Sequence, residues 1–314
     1  MVNFVPMFLN IVFILGGLLA ILWGADRFTD GACNMARRLN VPQIVIGLTV
    51  VAFGTSAPEF CVSLLSALKG TSGLAIGNII GSNIFNGLAI VGVAALVAPI
   101  MIKESTIKKD FPFTLGASLL LCGLMADGDI SRLDGLILLA GFAAFMAYTL
   151  RLGSKGMAEE SEQKMYGMGR SVLWVLVGLV CLVAGSSFFV SGASFIARSL
   201  NVSDAVIGLT IVACGTSIPE LATSIIAARK GQSDIAIGNV LGSNVFNILA
   251  ILGVTGVVCP MSCRDFSLVA MVVLVGSTVV LWIMCGTKHR VERWEGAILL
   301  TLFIAYVTWL VINA

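Results

Sequence analysis

The chain has 314 residues, of which 58% are hydrophobic and 11% are charged; its mean hydropathy is +1.02 and its formal net charge is +2. A soluble domain carries about 25% charged residues, so this composition excludes a soluble protein. The apolar runs are long and continuous, which predicts membrane-spanning helices, because barrel strands alternate polar and apolar residues over about 10 positions. We expect an all-α integral membrane protein surrounded by a lipid bilayer, with no nucleic-acid partner and no obligatory protein partner.

Apolar runs separated by polar interruptions predict ten transmembrane helices. Their centres lie near residues 14, 54, 87, 119, 141, 182, 216, 247, 274 and 305. The first run lacks the basic segment and the cleavage site of a signal peptide, so we expect it to be retained. The longest polar segment, residues 151–170, mixes both charge signs with glycines and is typical of a solvated linker. It separates a first five-helix unit, residues 1–150, from a second, residues 171–314.

The two units repeat one another at a shift of 161 residues. Residues 41–67 match residues 202–228 at 15 of 27 positions, and residues 73–92 match residues 234–253 at 13 of 20 positions, both without a gap. Matches of this length indicate a duplicated unit. Because each unit holds an odd number of helices, the second copy enters the membrane from the opposite side, and the repeats are predicted to be inverted.

The basic residues predict the orientation in the cell membrane. The loops of one face hold 15 of the 19 Lys and Arg residues, and the other face holds only Lys69, Arg132, Arg198 and Arg264. By the positive-inside rule, the linker is cytoplasmic and both termini lie outside.

Two carboxylates, Glu59 and Glu220, fall deep inside apolar runs, and the shift of 161 residues superposes them. A charge at the bilayer centre costs roughly 2.5 to 3.5 kcal/mol on insertion scales. No Lys, Arg or His lies inside a run to neutralise either carboxylate. A mobile cation is therefore the partner that we expect.

Oxygen atoms of other groups accompany each glutamate. Pro58 lacks an N–H and displaces the carbonyl of Gly54, so backbone carbonyls nearby can turn toward a ligand. Thr55 and Ser56 precede Glu59 by four and three residues and share its helical face. The second copy repeats this pattern. Carboxylates, hydroxyls and carbonyls suit Ca²⁺ or Na⁺ rather than zinc or copper.

A second repeated motif adds amides and hydroxyls. It reads GNIIGSNIFN in the first unit and GNVLGSNVFN in the second, and supplies Asn78, Ser82, Asn83, Asn86, Asn239, Ser243, Asn244 and Asn247. Ser82 and Asn86 are about one helical turn apart, and Gly77 and Gly81 let a neighbouring helix approach closely. Such spacing alone is typical of helix packing, but its duplication beside a duplicated acid favours ion ligation.

The eight cysteines give no indication of a metal site. They show no ligand spacing beyond Cys259 and Cys263, which have no histidine nearby. We interpret the cysteines as small core residues and expect no cofactor.

The paired motifs GTSAPE and GTSIPE, followed by GNIIGSNIFN and GNVLGSNVFN, resemble the alpha-repeats of the sodium/calcium exchanger family, prokaryotic type, within the calcium/cation antiporter superfamily. The resemblance covers nearly the whole chain. It implies ten helices in two inverted halves, with helices 2, 3, 7 and 8 forming an ion-binding core and helices 1 and 6 sliding across it. It also implies exchange of Ca²⁺ for Na⁺ by alternating access, which is not an enzymatic activity.

The resemblance implies a set of ligands. For calcium they are Glu59, Glu220 and the backbone carbonyls of Thr55 and Thr216; the sodium sites add Ala52, Ser56, Ser82, Ala213, Ser217 and Ser243. Some relatives carry aspartate where this chain has Asn247, which matches Asn86. We expect these two asparagines to act as neutral carbonyl ligands or structural anchors, and potassium to be dispensable.

Other functions fit the sequence less well. A cation channel would use the same oxygens, but inverted repeats with broken helices are typical of alternating access. A Ser–His hydrolase is disfavoured because the only histidine, His289, lies in a loop, and an aspartyl protease because no aspartate lies deep in a run. A proton/calcium antiporter is the alternative left open, since two membrane glutamates can also exchange Ca²⁺ for protons.

Overall fold

The structure, a computed structural model, describes residues 4–155, 167–199, 213–263 and 268–313. In these ranges nearly all residues are helical. The helices are α1 (Phe4–Arg38), α2 (Gln43–Thr55), α3 (Ala57–Leu68), α4 (Ser72–Val97), α5 (Thr106–Asp127), α6 (Arg132–Lys155), α7 (Met168–Ser199), α8 (Ala213–Thr216), α9 (Ile218–Arg229), α10 (Ser233–Val258), α11 (Leu268–Lys288) and α12 (Arg293–Asn313).

Within the described ranges, eight helices are long and apolar enough to cross a membrane, and the bent pair of α2 and α3 makes a ninth span. An all-helical, multi-pass membrane protein is thereby confirmed. The pair of α8 and α9 corresponds to α2 and α3 in the second half, but the residues before Ala213 lie outside the described part of the chain. The count of ten crossings therefore stays a prediction.

The core of the molecule is built on α4 and α10. In the most apolar part of these helices 78% and 94% of the residues are buried, against 17% to 22% in α1, α6 and α12. Both helices contain a π-helical stretch, Phe85–Ile90 in α4 and Phe246–Ile251 in α10. Such widened turns are frequent at functional sites of helices. The outer helices expose their apolar side chains, as expected for contact with lipid.

Helices α1 and α7 are longer than the roughly 20 residues that a bilayer requires, at 35 and 32 residues. They pack against each other along glycines spaced by seven residues. A Cβ atom on Gly17 would lie 2.6 Å from the carbonyl oxygen of Gly185, and one on Gly24 would lie 2.9 Å from that of Gly178. The two backbones are therefore in direct contact, as in other glycine-mediated membrane helix pairs.

In the described part of the chain, four two-residue strands pair across the two halves. Strand β1 (Ile100–Met101) pairs antiparallel with β4 (Arg290–Val291), and β2 (Asp129–Ile130) pairs antiparallel with β3 (Met261–Ser262). The shift of 161 residues carries β1 onto β3 and β2 onto β4. Each small sheet thus takes one strand from each half, and the repeat operation exchanges the two sheets.

The interpretation of the cysteines is confirmed only in part. Cys33, Cys263 and Cys285 are buried, whereas Cys61 is exposed on the surface of α3. For Cys61 the prediction of a core residue was wrong, because hydropathy does not tell which face of an apolar helix packs inward.

Candidate ion-binding site

The site lies where α2 and α3 meet and where α8 and α9 repeat that junction. Between α2 and α3 the backbone of Ser56 leaves the helical conformation, with φ −79° and ψ 7°, and the two helices make an angle of 47°. Pro58 and Glu59 stand in the first turn of α3. The second half has the same break at Ser217, with φ −90° and ψ 9°. The broken helix expected from the proline is confirmed.

The two carboxylates are bridged by serines of the opposite half. Ser217 Oγ donates to Glu59 Oε1 at 2.7 Å, and Ser56 Oγ donates to Glu220 Oε1 at 3.0 Å. Both glutamates are fully buried. Ser82 Oγ lies 3.0 Å from Ser217 Oγ. These contacts join residues more than 130 positions apart and bring both glutamates to one place in the core.

Several acceptor atoms at this place face no donor. Glu59 Oε2, Glu220 Oε2, Asn86 Oδ1 and Asn247 Oδ1 are buried without a hydrogen-bond partner among the described residues. A buried acceptor without a donor costs about 1 to 3 kcal/mol, and more when it is charged. All four atoms accept when the glutamates are ionised, so cations would satisfy them, and protons could also satisfy the two carboxylates.

The candidate ligands described above are all oxygen atoms. In the described ranges, no group of three or more His, Cys, Asp and Glu side chains is placed to hold a metal ion. The site combines two carboxylates with neutral oxygens, which matches the preference of Ca²⁺ and Na⁺ for hard oxygen ligands.

Asn78 binds the backbone of the first glutamate, Glu59. Its Nδ2 donates to the backbone carbonyl of Glu59 at 3.3 Å and to Ser63 Oγ at 3.0 Å. Its Oδ1 accepts from Thr216 Oγ1 at 3.4 Å. One side chain thus connects the start of α3 to the break in the opposite half.

Asn239 makes the equivalent contacts in the second half. Its Nδ2 donates to the carbonyl of Glu220 at 3.2 Å and to Ser224 Oγ at 2.9 Å, and its Oδ1 accepts from Thr55 Oγ1 at 3.1 Å. Asn78 and Asn239 belong to the motif whose duplication favoured ion ligation, but the sequence did not predict these contacts. The signal that could have found them is their duplication together with Ser63 and Ser224.

Four asparagines join α4 to α10 at their centres. Asn83 and Asn244, which the repeat superposes, each donate to the backbone carbonyl of the other, at 3.2 and 3.4 Å. Asn86 Nδ2 donates to Asn244 Oδ1 at 3.1 Å, and Asn247 Nδ2 donates to Asn83 Oδ1 at 2.9 Å. These bonds use the amide nitrogens of Asn86 and Asn247 and leave their carbonyl oxygens available to an ion.

Three other predicted ligands, Ala52, Ser243 and Ala213, lie on α2, α10 and α8. Ala52 and Ser243 are fully buried. The carbonyl of Ala52 accepts from the N–H of Ser56 at 3.0 Å and from Thr55 Oγ1 at 3.4 Å. Ala213 begins α8 at the edge of the described residues.

The close approach predicted from the glycines occurs in the second copy. A Cβ atom on Gly242 would lie 2.7 Å from the Cβ of Ala52, and one on Gly238 would lie 3.1 Å from Gly47 Cα. For Gly81, no described atom lies within 4 Å of such a Cβ, and the residues equivalent to Gly47 lie outside the described ranges. Helix α10 therefore packs backbone to backbone against α2.

Besides the two glutamates, three further carboxylates of the described residues are buried. They are Asp110, Asp234 and Glu295, at 4%, 5% and 2% exposure. Each lies within the first five residues of its helix rather than near the centre. Asp234 forms an ion pair with Lys103 at 2.8 Å. Hydropathy alone did not indicate that these residues are buried, because burial near a helix start depends on which neighbouring helices cover it.

A cavity of about 560 Å³ lies beside the site, between α2, α3, α6 and α10. Its walls are almost entirely apolar, with Phe53, Phe142 and Phe246 among them, and Ser56 lies at its edge. The cavity has no charged lining residue, and Ser56 is the one predicted ion ligand among its lining residues.

Comparisons with known proteins agree with this geometry. The family model of the sodium/calcium exchanger protein matches residues 9–151 and 170–312. The chain is 40% identical to the protein CaxA of Alkalimonas amylolytica, over 94% of this chain and 96% of that protein. It is 32% identical to the sodium/calcium exchanger MaX1 of Methanosarcina acetivorans, over 95% and 97% of the two chains. A solved structure of the sodium-calcium exchanger NCX_Mj is similar, with a TM-score of 0.85 and 33% identity, covering 96% of this chain and 98% of that one.

Proposed function

Because the chain belongs to the sodium/calcium exchanger protein family, we propose that it is a secondary active antiporter that exchanges Ca²⁺ for Na⁺ by alternating access. The members of this family are transporters of ions rather than enzymes. The observation that carries the proposal is the pair of buried glutamates, each held by a serine of the other half and each with one oxygen facing no donor.

We assign Ca²⁺ to Glu59, Glu220 and the backbone carbonyls of Thr55 and Thr216. Two carboxylates balance the charge of one Ca²⁺, so the loaded core is neutral. Neutrality matters because an uncompensated charge in the protein interior costs several kcal/mol. The reciprocal serine bridges support a single shared site rather than two separate ones.

We assign Na⁺ to neutral oxygens beyond those that one Ca²⁺ needs. They belong to Ala52, Ser56, Ser82, Ala213, Ser217, Ser243, Asn86 and Asn247. The unpartnered amide oxygens and the buried hydroxyls support this assignment. If more than two Na⁺ return for one Ca²⁺, the cycle moves net charge and responds to membrane voltage.

The strand pairs support the inverted ten-helix arrangement. Strand β1 follows α4, and α5 crosses the membrane between β1 and β2, so these two strands lie on opposite faces. Strand β3 follows α10 and pairs with β2. Equivalent helices α4 and α10 therefore end on opposite faces, which is the arrangement of an inverted repeat.

We further propose units at residues 1–150 and 171–314, a cytoplasmic linker at residues 151–170, and termini outside the cell membrane. A cysteine placed in the linker of a cysteine-free protein should react with an impermeant maleimide only from the cytoplasmic side. Labelling from outside intact cells would refute the inverted topology.

A proton/calcium antiporter is the second candidate. The observation in its favour is that Glu59 and Glu220, which hold the site's only negative charges in the described residues, can also accept two protons. An exchange of two protons for one Ca²⁺ moves no net charge, which separates it from sodium exchange with more than two Na⁺.

Transport into vesicles distinguishes the two candidates. Vesicles are loaded with Na⁺ and diluted into Na⁺-free medium with labelled Ca²⁺, while an ionophore clamps the pH and K⁺ is varied. We expect Ca²⁺ uptake to require the Na⁺ gradient and to be independent of the K⁺ concentration. Uptake should accelerate when the membrane voltage favours export of positive charge. Vesicles with the Glu220→Gln variant are the control. Uptake that follows only an imposed pH gradient would assign the protein to proton exchange.

A further inference from the structure

Lys230, in the turn after α9, contacts two aspartates of α1. Its Nζ lies 2.7 Å from Asp26 Oδ1 and 2.7 Å from Asp30 Oδ1, and it donates to the backbone carbonyl of Asp26 at 3.1 Å. The two aspartates are four residues apart and share one face of α1. All three side chains are about one quarter to one third exposed. The contact therefore joins the far end of α9, distant from Glu220, to one of the two long helices.

The repeat has no equivalent contact at the other end. The shift of 161 residues takes Lys230 to Lys69, and it takes the two aspartates to Ser187 and Ser191. Lys69 is exposed and makes no ion pair with any residue that the structure describes. The serines carry no charge, so α7 offers Lys69 no anionic partner at these positions.

Helix α9, which carries the contact with α1, is also more buried than its equivalent α3. Ala222 of α9 is 7% exposed, whereas its equivalent Cys61 on α3 is exposed. Ile226 of α9 is half-buried, whereas its equivalent Leu65 is 54% exposed. Helix α1 packs along α9. The structure thus has one covered end and one uncovered end, although the sequences of the two ends are similar.

Helices α1 and α7 respond to such a contact together. Their glycine seam puts backbone against backbone. At the same end of the molecule, the Arg27 guanidinium lies over the Trp174 ring of α7, 5.4 Å from its centroid. An interaction that keeps α1 against α9 therefore also keeps α7 in place, because α7 is packed tightly on α1.

Resting on the alternating access proposed above, we propose that Lys230, Asp26 and Asp30 form an ionic latch that stabilises the conformation with α1 on α9. In the conformation of opposite accessibility, α1 leaves α9, the ion pairs break, and α7 covers α3 without gaining equivalent pairs. The latch therefore biases the exchanger toward the conformation described here. On the proposed topology, the end closed by the latch is cytoplasmic.

The bias follows from the usual strength of partly exposed ion pairs. Two such pairs shift a two-state population by about threefold to tenfold. Salt screens exposed charges over about 8 Å at physiological ionic strength, so the shift should shrink in high salt.

Hydrogen exchange of the full-length protein in lipid nanodiscs tests the latch. In Lys230→Met we expect the amides of α9 to exchange about threefold to tenfold faster. Those of α3 should exchange more slowly, because the conformation in which α7 covers α3 becomes more populated. Lys69→Met is the matched control and should change neither helix. The measurement needs no transport, so it stays decisive even if the transported ions are not those proposed.

A second variant tests the ionic latch by adding a contact in the opposite conformation rather than by removing one. Ser191→Asp gives α7 an acid that can reach Lys69 when α7 covers α3. It should therefore slow exchange in α3 and speed exchange in α9, like Lys230→Met. Faster exchange of α9 alone in Lys230→Met, or no change of α3 in either variant, would overturn the latch, because only a shift between two conformations moves the two helices in opposite directions.

Discussion

Glu59 and Glu220 each receive a hydrogen bond from a serine of the opposite half, at 2.7 and 3.0 Å, and their second oxygens face no donor. A carboxylate in this setting is costly unless a cation joins it. At the scale of the residue, the energetic cost of burying the two carboxylates and their affinity for a cation therefore have the same origin. A proton that binds either carboxylate removes its charge, so Ca²⁺ binding should weaken on acidification.

Glu59→Gln and Glu220→Gln keep the size of the side chain and remove its charge. We expect each variant to lower Ca²⁺ affinity by roughly a hundredfold or more while the protein stays inserted and folded. Isothermal titration of the purified protein measures this. Glu104→Gln is the control, because Glu104 is exposed and pairs with Lys108 on the surface. A single variant with near-normal affinity would remove that glutamate from the site.

Asn78 and Asn239 bind the backbone carbonyls of Glu59 and Glu220. Asn78→Ala and Asn239→Ala each remove the donor to a glutamate carbonyl and the acceptor for a threonine of the other half. Loss of such a supporting group lowers metal affinity by about tenfold or more. We expect equal effects of the two variants on Ca²⁺ titration and a lower thermal midpoint. Thr301→Ala, whose hydroxyl bonds only within α12, is the control; unequal effects would contradict the reciprocal arrangement.

At the scale of the helix, the contact between α1 and α7 depends on the absence of side chains along one line. Gly17 lies in this contact, whereas a Cβ atom on its neighbour Gly16 would meet no described atom within 4 Å. The two positions therefore separate the effect of packing from the effect of glycine on the helix backbone.

Gly17→Val should push α1 away from α7, because its Cβ would lie 2.6 Å from a backbone oxygen that cannot move aside. We expect a fall in the thermal midpoint of the detergent-solubilised protein of several degrees, consistent with overpacking costs of about 1 to 3 kcal/mol. Gly16→Val should leave the midpoint nearly unchanged. Equal midpoints for the two variants would show that the seam is not a tight contact.

At the scale of the whole molecule, the two small sheets tie the halves together at both ends. Met101 pairs with Arg290 in one sheet, and Asp129 pairs with Ser262 in the other. Opposite residues of antiparallel strands have Cα atoms about 4.5 to 5.5 Å apart, within the range of a disulfide.

Cysteine pairs at these positions should form disulfides in a cysteine-free protein. We expect Met101→Cys with Arg290→Cys, and Asp129→Cys with Ser262→Cys, to cross-link under a membrane-impermeant oxidant applied from opposite sides. A mobility shift on a denaturing gel after cleavage in the linker reports the bond. Met101→Cys with Ser262→Cys is the negative control. Cross-linking of both pairs from the same side would contradict an inverted repeat.

Much of this protein follows from the sequence alone. Its hydropathy determined a multi-pass helical membrane protein, because lipid requires continuous apolar spans with satisfied backbones. The duplication located Glu59 and Glu220, and Pro58 located the broken helix. Both features could be predicted because each depends only on residues that are close together in the sequence. Burial near the helix starts was less well determined, because hydropathy does not show which residues the neighbouring helices cover; Asp110, Asp234 and Glu295 are buried there.

Tertiary structure decided which side chains meet. The bonds of Ser217 to Glu59 and of Thr216 to Asn78, and the ion pairs of Lys230 with α1, join residues 138 to 204 positions apart. No local pattern encodes such contacts, because they depend on how helices from the two halves lie against each other. The similarity of the two halves predicts that α3 and α9 are equally covered. In the structure α1 packs on α9 and leaves α3 more exposed, because one conformation places the long helices over only one of the two equivalent helices.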